Sequence, residues 1–190
     1  MRERRVVIVA FEGVQPLDAV GPHEVFAGAT RAAAAQGRPG GYEVAVASVR
    51  GGPVHAESGL ELGTVPLPDA SEGIDTLVLA GGSGANAAAA DEALVAWIAA
   101  TAPRCRRVAT VCSGAFLAAA AGLLEGRRVT THWARARELR ETYPGLDVVA
   151  TRCGLGSAET LRRVFQRHLG VSPDAYRRRF RTAPMERTPA

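Results

Sequence analysis

Four apolar runs, VVIVAF at 6–11, YEVAVASV at 42–49, TLVLAGG at 76–82 and RVATV at 107–111, divide the first part of the chain. Helix-like segments stand between most of them. A strand, a helical return and a further strand is the order that builds parallel pairing, because each return brings the chain back to the same edge. The expected fold is therefore α/β: a mostly parallel sheet with helices on both faces. Pro22 suits the first turn of a helix running through HEVFAGATRAAAAQ, with Val25, Phe26 and Ala29 on one face and Gly37 as its stop. The Gly/Pro-rich stretch 51–68 predicts short edge strands and loops. DEALVAWIAATA, before the RVATV run, has the spacing of an amphipathic helix.

A chain of 190 residues buries one good core, and an appended module would lean on it. Charge divides the chain more sharply than hydropathy does. Residues 1–150 hold 14 Arg against 16 acidic residues, whereas residues 151–190 hold 9 Arg against 3, so the balance shifts from −2 to +6. A positive charge gathered on one short segment is what a nucleic-acid contact requires, although a solvated basic terminus has the same composition. Apolar runs of membrane-spanning length are missing and the apolar start is too short for a leader, so a cytoplasmic protein without a membrane partner is expected. Cys105, Cys112 and Cys153 form no CxxC pair and stand near no histidine at metal spacing. Neither a disulfide, a metal nor a cofactor is implied.

TVCSGAFLAAAAGLLEG at 110–126 places Cys112 between a buried strand and an Ala-rich helix. A thiol there gains partial positive charge and free N–H groups from the helix start, which favours the thiolate. A small buried cysteine packing as a hydrophobe is the plain alternative. Two companions argue against it. Asp18, just after the first strand, and His132, in VTTHW, can both reach the carboxyl rim of the sheet, where open α/β folds collect their sites. Gly81 and Gly82 can bring backbone N–H groups to the same place as an oxyanion hole. The candidate catalytic set is Cys112, Asp18, His132 and Gly82.

In the tail, Ser157 of CGLGS can cap a helix over 157–168. Its spacing puts Ala158, Leu161, Phe165 and Leu169 on one face and Glu159, Arg162, Arg163, Gln166 and Arg167 on the other. An Arg/Gln-rich face opposite an apolar stripe is what a recognition helix needs in a major groove. VSPDAYRRRF continues as a second capped helix, with Arg177, Arg178 and Arg179 suited to phosphates.

FEGVQPLDAVGPHEVFA, LVLAGG and VCSGAFLAAAAGLLEGRRVTTHW together resemble the PfpI/ThiJ-like superfamily, in particular the amidotransferase-like sensor domain of GlxA-type regulators and the related isonitrile hydratases. The resemblance implies a flavodoxin-like sandwich over 1–145, with Cys112 as the elbow cysteine, Asp18 as the acid facing it and His132 as the nearby histidine. In isonitrile hydratases the matching Cys and Asp are catalytic; in the regulators the pocket is taken to sense a small molecule. GLGSAETLRRVFQRHLGVSPDAYRRRFR resembles the end of AraC/XylS-type DNA-binding domains, which implies a partial helix-turn-helix over 146–183, with LDVVATRC at 146–153 as the helix before the turn, and a disordered end at 184–190. GlxA-type regulators carry two such units and only the second is matched, so the chain reads as internally truncated near 144–146. The first expectation is thus a DNA-binding, ligand-sensing regulator that acts as a homodimer. The second is a cysteine-dependent hydratase or amidase using Cys112 and Asp18. A third is a remnant with neither activity, its tail helix filling out the core.

Overall fold

The structure, a computed structural model, describes residues 3–149 together with 162–163, 166–167, 169–172 and 175. Its centre is a six-stranded sheet in the order β3-β4-β2-β1-β5-β6. The strands are β1 (Arg4–Val9), β2 (Tyr42–Ser48), β3 (Gly52–His55), β4 (Glu61–Pro66), β5 (Thr76–Leu79) and β6 (Arg107–Thr110). Every pairing is parallel except that of β3 with β4, a hairpin. The sheet with helices on both sides that the apolar runs predict is the one that forms.

β1 and β5 are the most deeply buried strands, and Val6 to Val9 and Leu77 to Leu79 are covered on both faces. This is why they read as unbroken apolar runs instead of alternating ones. Val7, Val9, Leu77 and Leu79 face a layer that includes Leu94 and Ile98 of α3 (Glu92–Thr101) and Leu117 of α4 (Ala115–Ala120). The short helix α2 (Ala85–Ala89) adds Ala85 and Ala88 to the same layer. Val6, Ile8 and Val78 face the other way, onto Ala19 and Phe26 of α1 (Pro16–Ala35). A third cluster joins Phe116 to Val129 of β7 (Arg128–Val129), Ala136 and Leu139 of α5 (Ala136–Thr142), and Val148 of β8 (Asp147–Val148).

Four expectations are corrected here. α1 starts at Pro16, not Pro22, because Gln15 caps it with a side chain that accepts from the Leu17 N–H. Pro22 then lies inside the helix. Of the face expected to pack, only Phe26 does so, against Tyr42 with ring centroids 4.8 Å apart; Val25 and Ala29 are exposed. β6 is not buried: as the last strand of the sheet it is exposed at all four residues. Asp147–Val148 is no helical turn, since its β-branched valine pairs in parallel register with Val129.

Candidate functional site

The carboxyl ends of β1, β5 and β6 converge on one rim. From β6 the chain passes through Val111 to Cys112, which adopts φ 53°, the one non-glycine residue with positive φ among those described. Such a left-handed backbone costs roughly 1–2 kcal/mol for a side-chain-bearing residue, and it turns the sulfur out of the strand at the start of a 3-10 turn, Cys112–Gly114. This is the strained strand-to-helix elbow that presents a nucleophile. Two glycines permit it. A Cβ on Gly114 would lie 2.1 Å from the Leu79 carbonyl oxygen, and one on Gly81 would lie 2.5 Å from the Ser113 nitrogen.

Asp18, in the first turn of α1, is buried and accepts a hydrogen bond from the Gly81 N–H at 3.1 Å. It also shares a hydrogen bond with the Cys112 thiol. Burial raises the Asp18 pKa above the usual carboxylate range, against the Gly81 and Cys112 hydrogen bonds, while the charge of Glu57 raises it further and that of His132 lowers it. The loop after β7 completes the rim: the His132 N–H and the Thr131 hydroxyl both donate to the Cys112 carbonyl, at 3.2 and 2.9 Å. His132 is itself held by the Arg135 N–H on its carbonyl. The Arg135 side chain is fixed by Glu138, by Asn86 at 2.9 Å and by stacking over Phe116 at 4.7 Å. The three side chains singled out in the sequence therefore share one site.

The thiol itself behaves otherwise than the elbow suggests. Burial, followed by the negative charge of Asp18, raises the Cys112 pKa, and the Ser113 backbone and side-chain hydrogen bonds only partly offset this. The helix that follows spans six residues, too short to outweigh a neighbouring carboxylate. Burial and Asp18 thus oppose the thiolate that the helix start favours. The expected oxyanion hole is also spoken for: the Gly81 N–H is on Asp18, and the Gly82 N–H is on Ser113 Oγ at 2.9 Å. Ser113 Oγ in turn donates to the Gly82 carbonyl at 3.0 Å.

Ser113, Gln15 and Glu57 belong to the site and escaped the sequence reading. Ser113 was visible as the residue after the elbow cysteine; the other two had no signal, because only the tertiary fold brings them there. Among the described residues none of the His, Cys, Asp and Glu groups is arranged to hold a metal, and Cys105 and Cys112 are both free thiols.

In the tail, Arg162, Arg163, Gln166 and Arg167 are helical and exposed. Leu169, expected on the packed face, is 49% exposed. Ser157, Glu159 and Arg178 lie outside the described residues, as do Ala158, Leu161 and Phe165.

Elbow, facing acid and parallel sheet define a class of α/β proteins built around one cysteine, and comparison with known proteins identifies it. The profile of the DJ-1/PfpI family matches residues 4–157, and the chain belongs to that family. A protein described as uncharacterized, encoded in the cpoL 5' region of Streptomyces lividans, is 39% identical over 140 residues, 74% of this chain and 95% of its own length. The HTH-type transcriptional regulator Rv1931c of Mycobacterium tuberculosis is 55% identical over 53 residues, 28% of this chain and 20% of the regulator. The isonitrile hydratase of Pseudomonas putida is 31% identical over 130 residues, 68% of this chain and 53% of the hydratase. The chain thus spans about half the length of the hydratase and a fifth of the regulator. No helix among the described residues is long and apolar enough to cross a membrane.

Proposed function

We propose that this protein is a transcriptional regulator in shortened form: a DJ-1/PfpI domain whose Cys112 pocket senses a small molecule, joined to a partial AraC-type helix-turn-helix that contacts DNA as part of a homodimer. The observation that carries the sensing reading is the closed hydrogen bonding of the site. With the Gly81 and Gly82 N–H groups already satisfied by Asp18 and Ser113, and with burial and Asp18 opposing the thiolate, the site suits holding a ligand better than attacking one. The DNA reading is supported by the +6 balance of residues 151–190, by the exposed helical Arg162, Arg163, Gln166 and Arg167, and by a relative named as a helix-turn-helix regulator. In this reading the DNA-contacting module follows Val149, whose N–H donates to the Val129 carbonyl of β7.

Fluorescence anisotropy with specific and random duplexes at two salt concentrations tests it. One module with a handful of arginines binds weakly, and the affinity falls steeply with salt as each phosphate contact releases counterions. Two units about 34 Å apart in a dimer restore affinity. Arg162→Ala or Gln166→Ala loses roughly 1–3 kcal/mol of discrimination between sequences, whereas Arg178→Ala weakens all duplexes alike. Absence of binding at low salt refutes the DNA half.

One observation favours a second reading. Asp18, whose pKa burial raises, shares a hydrogen bond with the Cys112 thiol, the pairing a cysteine-dependent hydratase or amidase would use, and a relative is named as an isonitrile hydratase. Turnover of isonitriles or small amides that vanishes in Cys112→Ala would establish it.

A further inference from the structure

The β3–β4 hairpin lies outside every motif of the site, yet its tip is hydrogen-bonded to the loops that carry the site. Val14 bridges both Ala56 of the hairpin and Gly82. The Gly13 N–H donates to the His55 carbonyl at 2.7 Å, and the Glu57 N–H to the Val14 carbonyl at 3.0 Å. The Glu57 carboxylate then closes the junction: Oε1 accepts from Gln15 Nε2 at 2.6 Å, and Oε2 accepts from the Ser83 N–H at 2.8 Å. One side chain therefore joins the hairpin, the loop before α1 and the loop after β5. Both partners sit a short step from the chemistry. Gln15 precedes Asp18 by three residues and donates its N–H to the Gly81 carbonyl at 2.8 Å; Ser83 follows Gly82, which is bonded to Ser113.

The charge of Glu57 is not neutralised. Among the described residues no Arg or His side chain is paired with it, and both its oxygens accept from uncharged donors. The basic groups on this side have other partners: His55 lies between Glu12 and Glu61, each at 3.3 Å, and Arg135 is on Glu138. The charge of Glu57 also acts on the Asp18 carboxyl, raising its pKa.

Building on the reading of Cys112 as the floor of a ligand pocket, we propose that Glu57 is the pocket's positioning and charge-selecting residue. It pins the three loops that form the wall, and its uncompensated negative charge selects uncharged or cationic electrophiles over anionic ones. A neutral reagent meets no opposing field, whereas a carboxylate approaching the sulfur is repelled by Glu57 and by whatever fraction of Asp18 is ionised.

The test alkylates the full chain with iodoacetamide, which is neutral, and iodoacetate, which is anionic, at mildly alkaline pH and low salt, reading Cys112 and Cys105 separately by mass spectrometry. Glu57→Gln keeps the shape and an acceptor oxygen but loses the charge. It is expected to raise the iodoacetate-to-iodoacetamide rate ratio at Cys112 about threefold, the effect of one charge acting over several ångströms in a water-like medium, with the Cys105 ratio unchanged. Glu57→Asp should keep the wild-type ratio, and high salt should move wild type toward Glu57→Gln. An equal ratio in wild type and Glu57→Gln, or an equal rise in Glu57→Asp, overturns the assignment. Should Glu57→Gln fail to fold, the wild-type salt series decides, and a Cys112 ratio that does not respond to salt overturns it. Failure of both reagents to reach Cys112 would instead refute the pocket reading, a result distinct from an unchanged ratio.

Discussion

Ser113→Ala is expected to be among the more damaging changes of a single small side chain in this protein, although it removes one oxygen atom. Ser113 is 2% exposed, and its hydroxyl both accepts from the Gly82 N–H at 2.9 Å and donates to the Gly82 carbonyl at 3.0 Å. Gly82 is itself buried and adopts φ 142°. It has no room to turn toward another partner, since even a Cβ there would lie 2.2 Å from the Gly13 oxygen. Alanine leaves the buried Gly82 N–H unsatisfied, whereas the Gly82 carbonyl still accepts from the Ala85 N–H at 3.2 Å. An orphaned buried polar group costs about 1–3 kcal/mol, and the carbonyl, which keeps one partner, adds little. The loss is about 1–3 kcal/mol, a sizeable share of the 5–15 kcal/mol typical of a folded domain. For a chain of this size it corresponds to a fall in Tm of about 2–12 °C. Urea denaturation and calorimetry at neutral pH measure it, with Ser71→Ala as the control: Ser71 bonds only to Asp69 on the surface, and its loss should stay within about 0.5 kcal/mol. A loss below about 1 kcal/mol for Ser113→Ala would mean that the Gly82 groups find other partners, and would refute the rigid junction argued here.

Two further outcomes follow from charge. Asp18→Asn removes the negative charge that, after burial, raises the Cys112 pKa, so iodoacetamide labelling of Cys112 near neutral pH should become faster than in wild type; an unchanged or slower rate would show that burial alone sets the thiol. At the other end of β5, two hydrogen bonds from Arg106, at 2.7 and 2.6 Å, hold the Asp75 pKa at about 2. A carboxyl depressed on folding adds stability that is present above its unfolded value of 3.8 and lost as the pH falls from there toward 2. Asp75→Asn should therefore flatten this part of the acid limb of a stability–pH curve, and parallel curves for the two proteins would refute the contribution.

Element types were legible in the chain because they depend on local pattern, and partnerships were not. VVIVAF and TLVLAGG announced strands buried on both faces by lacking alternation, and the strand, cysteine, glycine and small-residue order at 107–120 announced the elbow. RVATV carries the same apolar signal, yet its strand lies at the edge of the sheet, and nothing within five residues distinguishes an edge from a centre. Pro22 looked like a helix start because proline favours first turns; Pro16, with Gln15 as the cap, took that role six residues earlier. The site shows the same division. Cys112, Asp18 and His132 could be singled out by residue type and by position at strand ends. Which N–H groups were free could not, because the Gly82 amide is taken by a serine 31 residues away and the wall is latched by a glutamate from the hairpin.

These long-range partners reverse the chemistry that the local motif suggests. An elbow cysteine at a helix start, taken alone, argues for a ready thiolate; burial, a neighbouring carboxyl and the engagement of both glycine N–H groups oppose it. Any group that activates it must either neutralise Asp18 or compete with Ser113 for the Gly82 N–H. Competition at Gly82 would disturb the backbone between Gly81 and Ser83, which is tied through Glu57 to the β3–β4 hairpin and to the start of α1. Occupancy of the pocket and strain in three loops are therefore physically linked. This is the coupling that a sensor needs in order to report a bound molecule beyond its own walls, and an enzyme acting only at the sulfur would gain nothing from it.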